Sequence, residues 1–259
     1  MNNQLRVLLA GKKHDHPGLN WPVRRTLRAF HAVKLPLMAD GENWPTIMEY
    51  NRFMNPAVDS DNETLGCCSI ENGSKPVEIC YARDHDRYAP LRHAEIYKEL
   101  LFHINGNDQD TGFELLTAME GLKALGILKP DTSIEEIELN EAAISAAMQR
   151  GPLVWGNVPV GMMPNEINER GWADESRLGD TFALLNGGHC TCQFAQLRSQ
   201  GYNVAVLRNA GWGGYGLNLH GILMLTTRML LWTALCKPLL LTHTSGSIVG
   251  PDYERWVQA

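Results

Sequence analysis

Apolar positions change their period near residue 151. Upstream of that point they recur at helical spacing. In 90–104, Leu91, Ala94, Tyr97, Leu100, Leu101 and Ile104 share one face and Gly106 follows, which predicts a helix. A second helix is predicted over 112–125, with Thr111 and Glu114 as a capping box and Gly126 at its end. A third is predicted over 141–150, between Asn140 as N-cap and Gly151 as C-cap. Downstream the apolar runs shorten. Strands are predicted at 152–160, 189–197, 203–208 and 221–226, with a long polar loop over 164–187. Stretch 222–241 is the most apolar, but Arg228 and Lys237 interrupt it and Pro238 would break a spanning helix. It reads as a buried strand followed by a short amphipathic segment, not as a membrane span.

Helices first and strands second make an α+β pattern, not an alternating βαβ one. The order predicts a helical lobe followed by an antiparallel β lobe. A cleft between two such lobes is a natural active site. Residues 1–60 carry scattered Pro and Trp with weak periodicity and read as an extended arm. The expected division is an N-terminal arm over 1–58, a main domain over 59–232 and a C-terminal extension over 233–259.

The chain has 259 residues, 44% of them hydrophobic, which is enough for a buried core. The net charge of −6 and the lack of any basic block beyond Lys12-Lys13 argue against a nucleic-acid partner. Six cysteines are too few for a disulfide scaffold in a chain of this length. They favour free thiols in a reducing compartment. The first residues lack a signal-peptide core, so the expected location is the cytoplasm, that of a host cell included, or a virion. No cofactor is expected. The glycines of 211–216 lack the Lys-Ser/Thr of a phosphate loop. His189, Cys190 and Cys192 are soft ligands, but on a strand the two cysteines face away from the histidine, so no metal is expected either. Cys190 and Cys192 read as core thiols.

Three separated spots carry candidate chemistry. Gly66-Cys67-Cys68-Ser69 comes first, Gly187-Gly188-His189 second, and Arg208-Asn209 with the glycine-rich run to Gly216 third. A thiol nucleophile works as thiolate, which a nearby imidazole favours. The imidazole in turn needs a group to fix its tautomer, and the oxyanion needs a donor. Cys68, His189 and Asn209 suit nucleophile, base and orienter. In papain-like cysteine peptidases, which this residue order resembles, the donor is a Gln six residues before the nucleophile, and counting back six from Cys68 reaches Asn62, also an amide. Counting back from Cys67 reaches the anion Asp61, which favours Cys68 without excluding Cys67.

This order resembles that of papain-like cysteine peptidases, in particular the divergent set found in bacteria and their phages. Gly66 stands two residues before the nucleophile as in that family. Asp110-Thr111-Gly112 followed by a helix ending in Gly126-Ile127 resembles its D-x-G…G-I/V segment. Gly151-Pro152-Leu153-Val154 after a helix resembles its G-P-V strand entry. Asn209 to Gly216 resembles N-S-W-G-x-x-W-G. The resemblance spans about 59–224. It implies the papain-like fold, a thiol-dependent peptide or amide hydrolase, and a peptide or protein substrate.

The chain departs from the pattern at Asn62, which is shorter than Gln, at Ser69 in place of Trp, and at Ala210-Gly211 in place of Ser-Trp. Gly73 and Pro76 shorten the helix expected behind the nucleophile. A second expectation therefore stands beside the first: a catalytically inactive papain-like protein of a phage virion or other large assembly. In that case residues 1–58 would contact neighbouring subunits. The cluster Asp84-His85-Asp86-Arg87 reads as solvent-facing, and His14 and His16 as surface residues.

Overall fold

The computed structural model describes residues 65–106, 109–110, 112–159, 188–199, 201–208, 222–234 and 236–258. Helix α1 is the single turn Cys68–Glu71, and α2 is Lys75–His85. They are followed by α3 (His93–Asn105), α4 (Leu115–Ala124), strand β1 (Ser133–Glu136) and α5 (Glu141–Met148). Then come β2 (Leu153–Pro159), β3 (Gly188–Ser199), β4 (Tyr202–Arg208) and β5 (Ile222–Thr226). The chain closes with α6 (Thr227–Thr233), β6 (Leu239–Thr242) and a 3-10 turn, Tyr253–Trp256. No helix among the described residues is long and apolar enough to cross a membrane.

The six strands form one antiparallel sheet in the order β1-β6-β2-β3-β4-β5. Its two faces bury two apolar clusters, and strand alternation sorts β2 between them. Val154 joins a cluster built mainly from α1 to α4, including Ile70, Tyr97, Leu100, Met119 and Leu122. Leu153 and Trp155 join the other, with Ile144, Met148, Ala205, Leu207 and Leu230. The buried Trp155 indole donates to Gln193 Oε1 at 3.0 Å, so its one polar atom is satisfied.

Helix ends follow local chemistry. Asn140 caps α5 by accepting the Ala143 N–H at 2.8 Å, as its sequence position predicts. α4 starts later than the periodicity predicts. Gly112 has φ +69°, a left-handed conformation that a helix does not admit, so the first turn forms only after Glu114. Glu114 is the N-cap and makes no side-chain cap bond, in place of the expected capping box; Thr111 lies outside the described residues.

The stretch 222–241 becomes β5, α6 and the start of β6. Thr226 ends the strand and caps the helix by accepting the Met229 N–H at 3.2 Å. Residues past 232, expected as an extension, carry β6 between β1 and β2. They also bring Tyr253 and Trp256 into the helical cluster. The charged run at residues 84–87 is exposed.

Candidate functional site

The approach to Cys68 is held by a carboxylate 44 residues away in sequence. Asp110 accepts the Gly66 N–H at 3.2 Å on each oxygen. It also accepts the Tyr97 hydroxyl at 2.6 Å, and that hydroxyl accepts the Gly112 N–H at 2.8 Å. A Cβ on Gly66 would lie 2.7 Å from Asp110 Oδ1, so the fit requires glycine there. The motif pieces Gly66 and Asp110-x-Gly112 are thus one interaction, closed through Tyr97.

Cys68 is the first residue of α1 and Cys67 its N-cap. The helix lasts one turn. The chain then passes through Gly73, where a Cβ would lie 2.1 Å from the Ser69 carbonyl oxygen and 2.3 Å from Met119 Cε. α2 restarts with Pro76 in its first turn, where a missing N–H breaks no helical bond.

Both thiols are buried, Cys68 to 2% exposure. Burial pushes the Cys68 thiol up to about 11; the Cys190 backbone N–H opposes this and the Glu71 carboxylate adds to it. The Ser69 hydroxyl beside it is buried with no hydrogen-bond partner among the described residues.

The Cys190 contact fixes what faces the thiol. Cys190 is the third residue of β3 and packs into the same cluster as Cys67 and Cys68. His189 is its neighbour, the second residue of β3, with its main chain opposite Asn157 of β2. The pairing of β2 with β3 shifts register between Asn157 and Pro159, directly beside His189. The fold therefore brings two of the sequence-derived candidates, Cys68 and the His189 backbone, to one place. Asn209 and Asn62 lie outside the described residues. β4 ends at Arg208, the residue before Asn209.

A second buried cluster, which sequence reasoning missed, begins one turn into α2. Glu78 accepts from Lys75 Nζ at 2.7 Å and from the Tyr88 hydroxyl at 3.0 Å. His93 Nε2 lies 2.6 Å from its other oxygen, and Ser74 Oγ donates to that oxygen at 3.4 Å. Lys75, Glu78 and His93 are all buried. Burial alone would raise the Glu78 carboxyl, but Lys75 and then His93 outweigh it and hold it far below the carboxylate range. Burial likewise pulls Lys75 down, and Glu78 reverses it, so the ammonium stays charged. The buried Arg208 guanidinium at the end of β4 is near enough to oppose Lys75. His93 opens α3, so the cluster ties α2 to α3 and reaches towards the strand end that leads to Asn209. The only sequence signal was a Lys and a Glu three apart, which usually means an exposed helical pair.

No profile of a known protein family matches the sequence. No curated protein matches it either. Solved structures do. Digestive procathepsin L 3 from the larval midgut of Tenebrio molitor superposes with a TM-score of 0.52 at 12% identity, over 74% of this chain and 67% of that one. A chain described as the structural basis for the limited antibody cross reactivity between the mite allergens Blo t 1 and Der p 1 superposes with a TM-score of 0.53 at 13% identity. That match covers 94% of this chain and 83% of the mite chain. The chain therefore has the α+β papain-like fold, with helices and an open antiparallel sheet meeting where Cys68 touches β3.

Proposed function

We propose that the protein is a thiol-dependent hydrolase of peptide or amide bonds, with Cys68 as nucleophile and His189 as base. The observation that carries this reading is Cys68, at the start of α1, packed in one buried cluster with Cys190 of β3, one residue from His189. Asn209, following the end of β4, would orient the imidazole, and Asn62 would donate to the oxyanion. Strict strand alternation would send residues 189 and 190 to opposite faces. The register shift beside His189 is the kind of irregularity that re-aims a side chain.

A thiol pushed up to about 11 is neutral at physiological pH. The attack then follows a general-base course. His189 takes the Cys68 proton as sulfur bonds to the carbonyl carbon, and returns it to the leaving amine. Water, deprotonated by the same imidazole, releases the acyl group and regenerates the thiol. A peptide or protein is the proposed substrate.

The test uses unfolded fluorescent casein and the p-nitrophenyl ester of an N-acyl amino acid. An acyl group on Cys68 is expected by mass spectrometry after acid quenching. Turnover should fall about 10³-fold or more in Cys68→Ala and in His189→Ala. Turnover unchanged in Cys68→Ala would end the reading.

One observation favours a second reading, a catalytically silent member of the fold acting in a larger assembly. Cys68 is as deeply buried as a structural thiol. Under that reading residues 1–58 would contact neighbouring subunits, and both probes would remain uncleaved.

A further inference from the structure

Gly156 of β2 pairs directly with Cys190 of β3. Residues directly opposed in an antiparallel pair point to the same face, with Cβ positions about 5 Å apart. Gly156 has no side chain, and another sulfur fills the space. A Cβ on Gly156 would lie 2.6 Å from Cys236 Sγ, and that thiol donates to the Gly156 carbonyl at 3.5 Å. Cys236 comes from the link between α6 and β6, 46 residues beyond Cys190 in this sequence. It sits where the side chain facing Cys190 would otherwise be.

We infer that Cys190 and Cys236 form an oxidisable thiol pair, a site for hydroperoxides or small-molecule disulfides. The two positions differ in the way such a pair requires. Cys236 is exposed, so a dissolved oxidant reaches it, whereas Cys190 is buried and meets the oxidant only through its partner. The other thiols near Cys190 fit less well. Cys192 lies two residues along the same strand, about 6.7 Å away with a parallel Cβ direction, which is poor disulfide geometry. Cys68 also packs beside Cys190, but it is buried, so a dissolved oxidant reaches the exposed Cys236 first. Among the described residues no group of three His, Cys, Asp or Glu is placed to hold a metal ion.

The chemistry balances with a hydroperoxide as oxidant. The Cys236 thiol gives up its proton as its sulfur attacks the peroxide oxygen, the O–O bond breaks, and the leaving alkoxide takes that proton to depart as alcohol, giving a sulfenic acid. The Cys190 thiol attacks the sulfenic sulfur, the S–S bond forms and water leaves. Two thiols are oxidised by two electrons in all, and the peroxide is reduced to alcohol and water. The pair goes beyond the hydrolase reading and does not depend on turnover at Cys68.

The test oxidises the full chain with a small excess of hydrogen peroxide. Free thiols are then capped with N-ethylmaleimide under denaturing conditions, and peptides are mapped without reduction. A peptide pair joined through Cys190 and Cys236 is expected, and dithiothreitol should release it. Cys236→Ser changes an exposed side chain, so it should fold normally and lose the linked pair, leaving Cys190 fully alkylated. Cys236 converted to sulfinic acid with Cys190 alkylated would overturn the proposal. So would a linked pair joining Cys190 to Cys68 or Cys192. Because the map reads a bond and not a rate, an inactive Cys68 leaves the result interpretable.

Discussion

Cys68 and Glu78 stand ten residues apart on one short stretch of chain, and both are almost wholly buried. The same desolvation acts on both and their fates are opposite. Cys68 meets the Cys190 stretch of β3, a repelling carboxylate and, next door, a hydroxyl with no partner among the described residues, and its thiol stays neutral. Glu78 meets an ammonium, an imidazole and two hydroxyls, and its carboxylate stays charged. Burial sets the size of the penalty, and the partners decide which protonation state survives it. An acidic group is stabilised as an anion here for architecture, while the candidate nucleophile is left for a base to activate.

The largest effect should come from unbalancing the ionic side. Glu78→Gln leaves the Lys75 ammonium buried without its counter-charge, and we expect a loss of about 4 kcal/mol in urea denaturation. A double variant, Lys75→Met with Glu78→Leu, removes both charges and should lose far less than the single one. If the double variant is the less stable, the contrast between the two regions fails.

Acid denaturation probes the same charge. The Glu78 carboxyl is held below its unfolded value, so its contribution is present above about pH 4.5 and is lost as pH falls further. The stability of the native protein should therefore decline below about pH 4.5. Glu78→Gln should flatten that limb. A curve of unchanged shape in the variant would place the acid sensitivity elsewhere.

On the thiol side, Cys68 alkylation by iodoacetamide should climb about tenfold per pH unit from pH 7 towards its value near 11. An ion pair preformed with His189 would instead give a plateau below pH 7. Peptide mapping of alkylated Cys68 separates it from the other thiols.

The smallest effect concerns Ser69. Its buried hydroxyl lacks a partner among the described residues, so Ser69→Ala should stabilise the protein by up to about 1 kcal/mol, a rise of about 2 °C in Tm. A fall in Tm would mean that the hydroxyl is satisfied, and the thiol pocket would be less dry than its neighbours imply.

Much of the frame was legible in the chain. Helical spacing marks α3, α4 and α5, and the change to short apolar runs marks β2 to β5, because these patterns are local consequences of backbone geometry. The order Cys68, His189 and Asn209 carried the fold resemblance. β1 and β6 were not legible. Ser133–Glu136 is polar and half-buried, and becomes a strand only because Leu239–Thr242 lies alongside it. Nothing local to Lys75 and Glu78 shows that His93, 15 residues on, joins the same carboxylate and that all three are buried.

The sequence by itself determined the α+β order, the helix and strand centres, and the placing of Cys68 behind a glycine. Each depends on neighbours a few residues away. Only the tertiary structure decided that Asp110 seats Gly66, that Glu78 is an anion in the interior, and that Cys236 fills the space opposite Cys190. Those outcomes arise from groups 44, 15 and 46 residues apart. Their energies depend on distance and on exclusion of water, which no local pattern encodes.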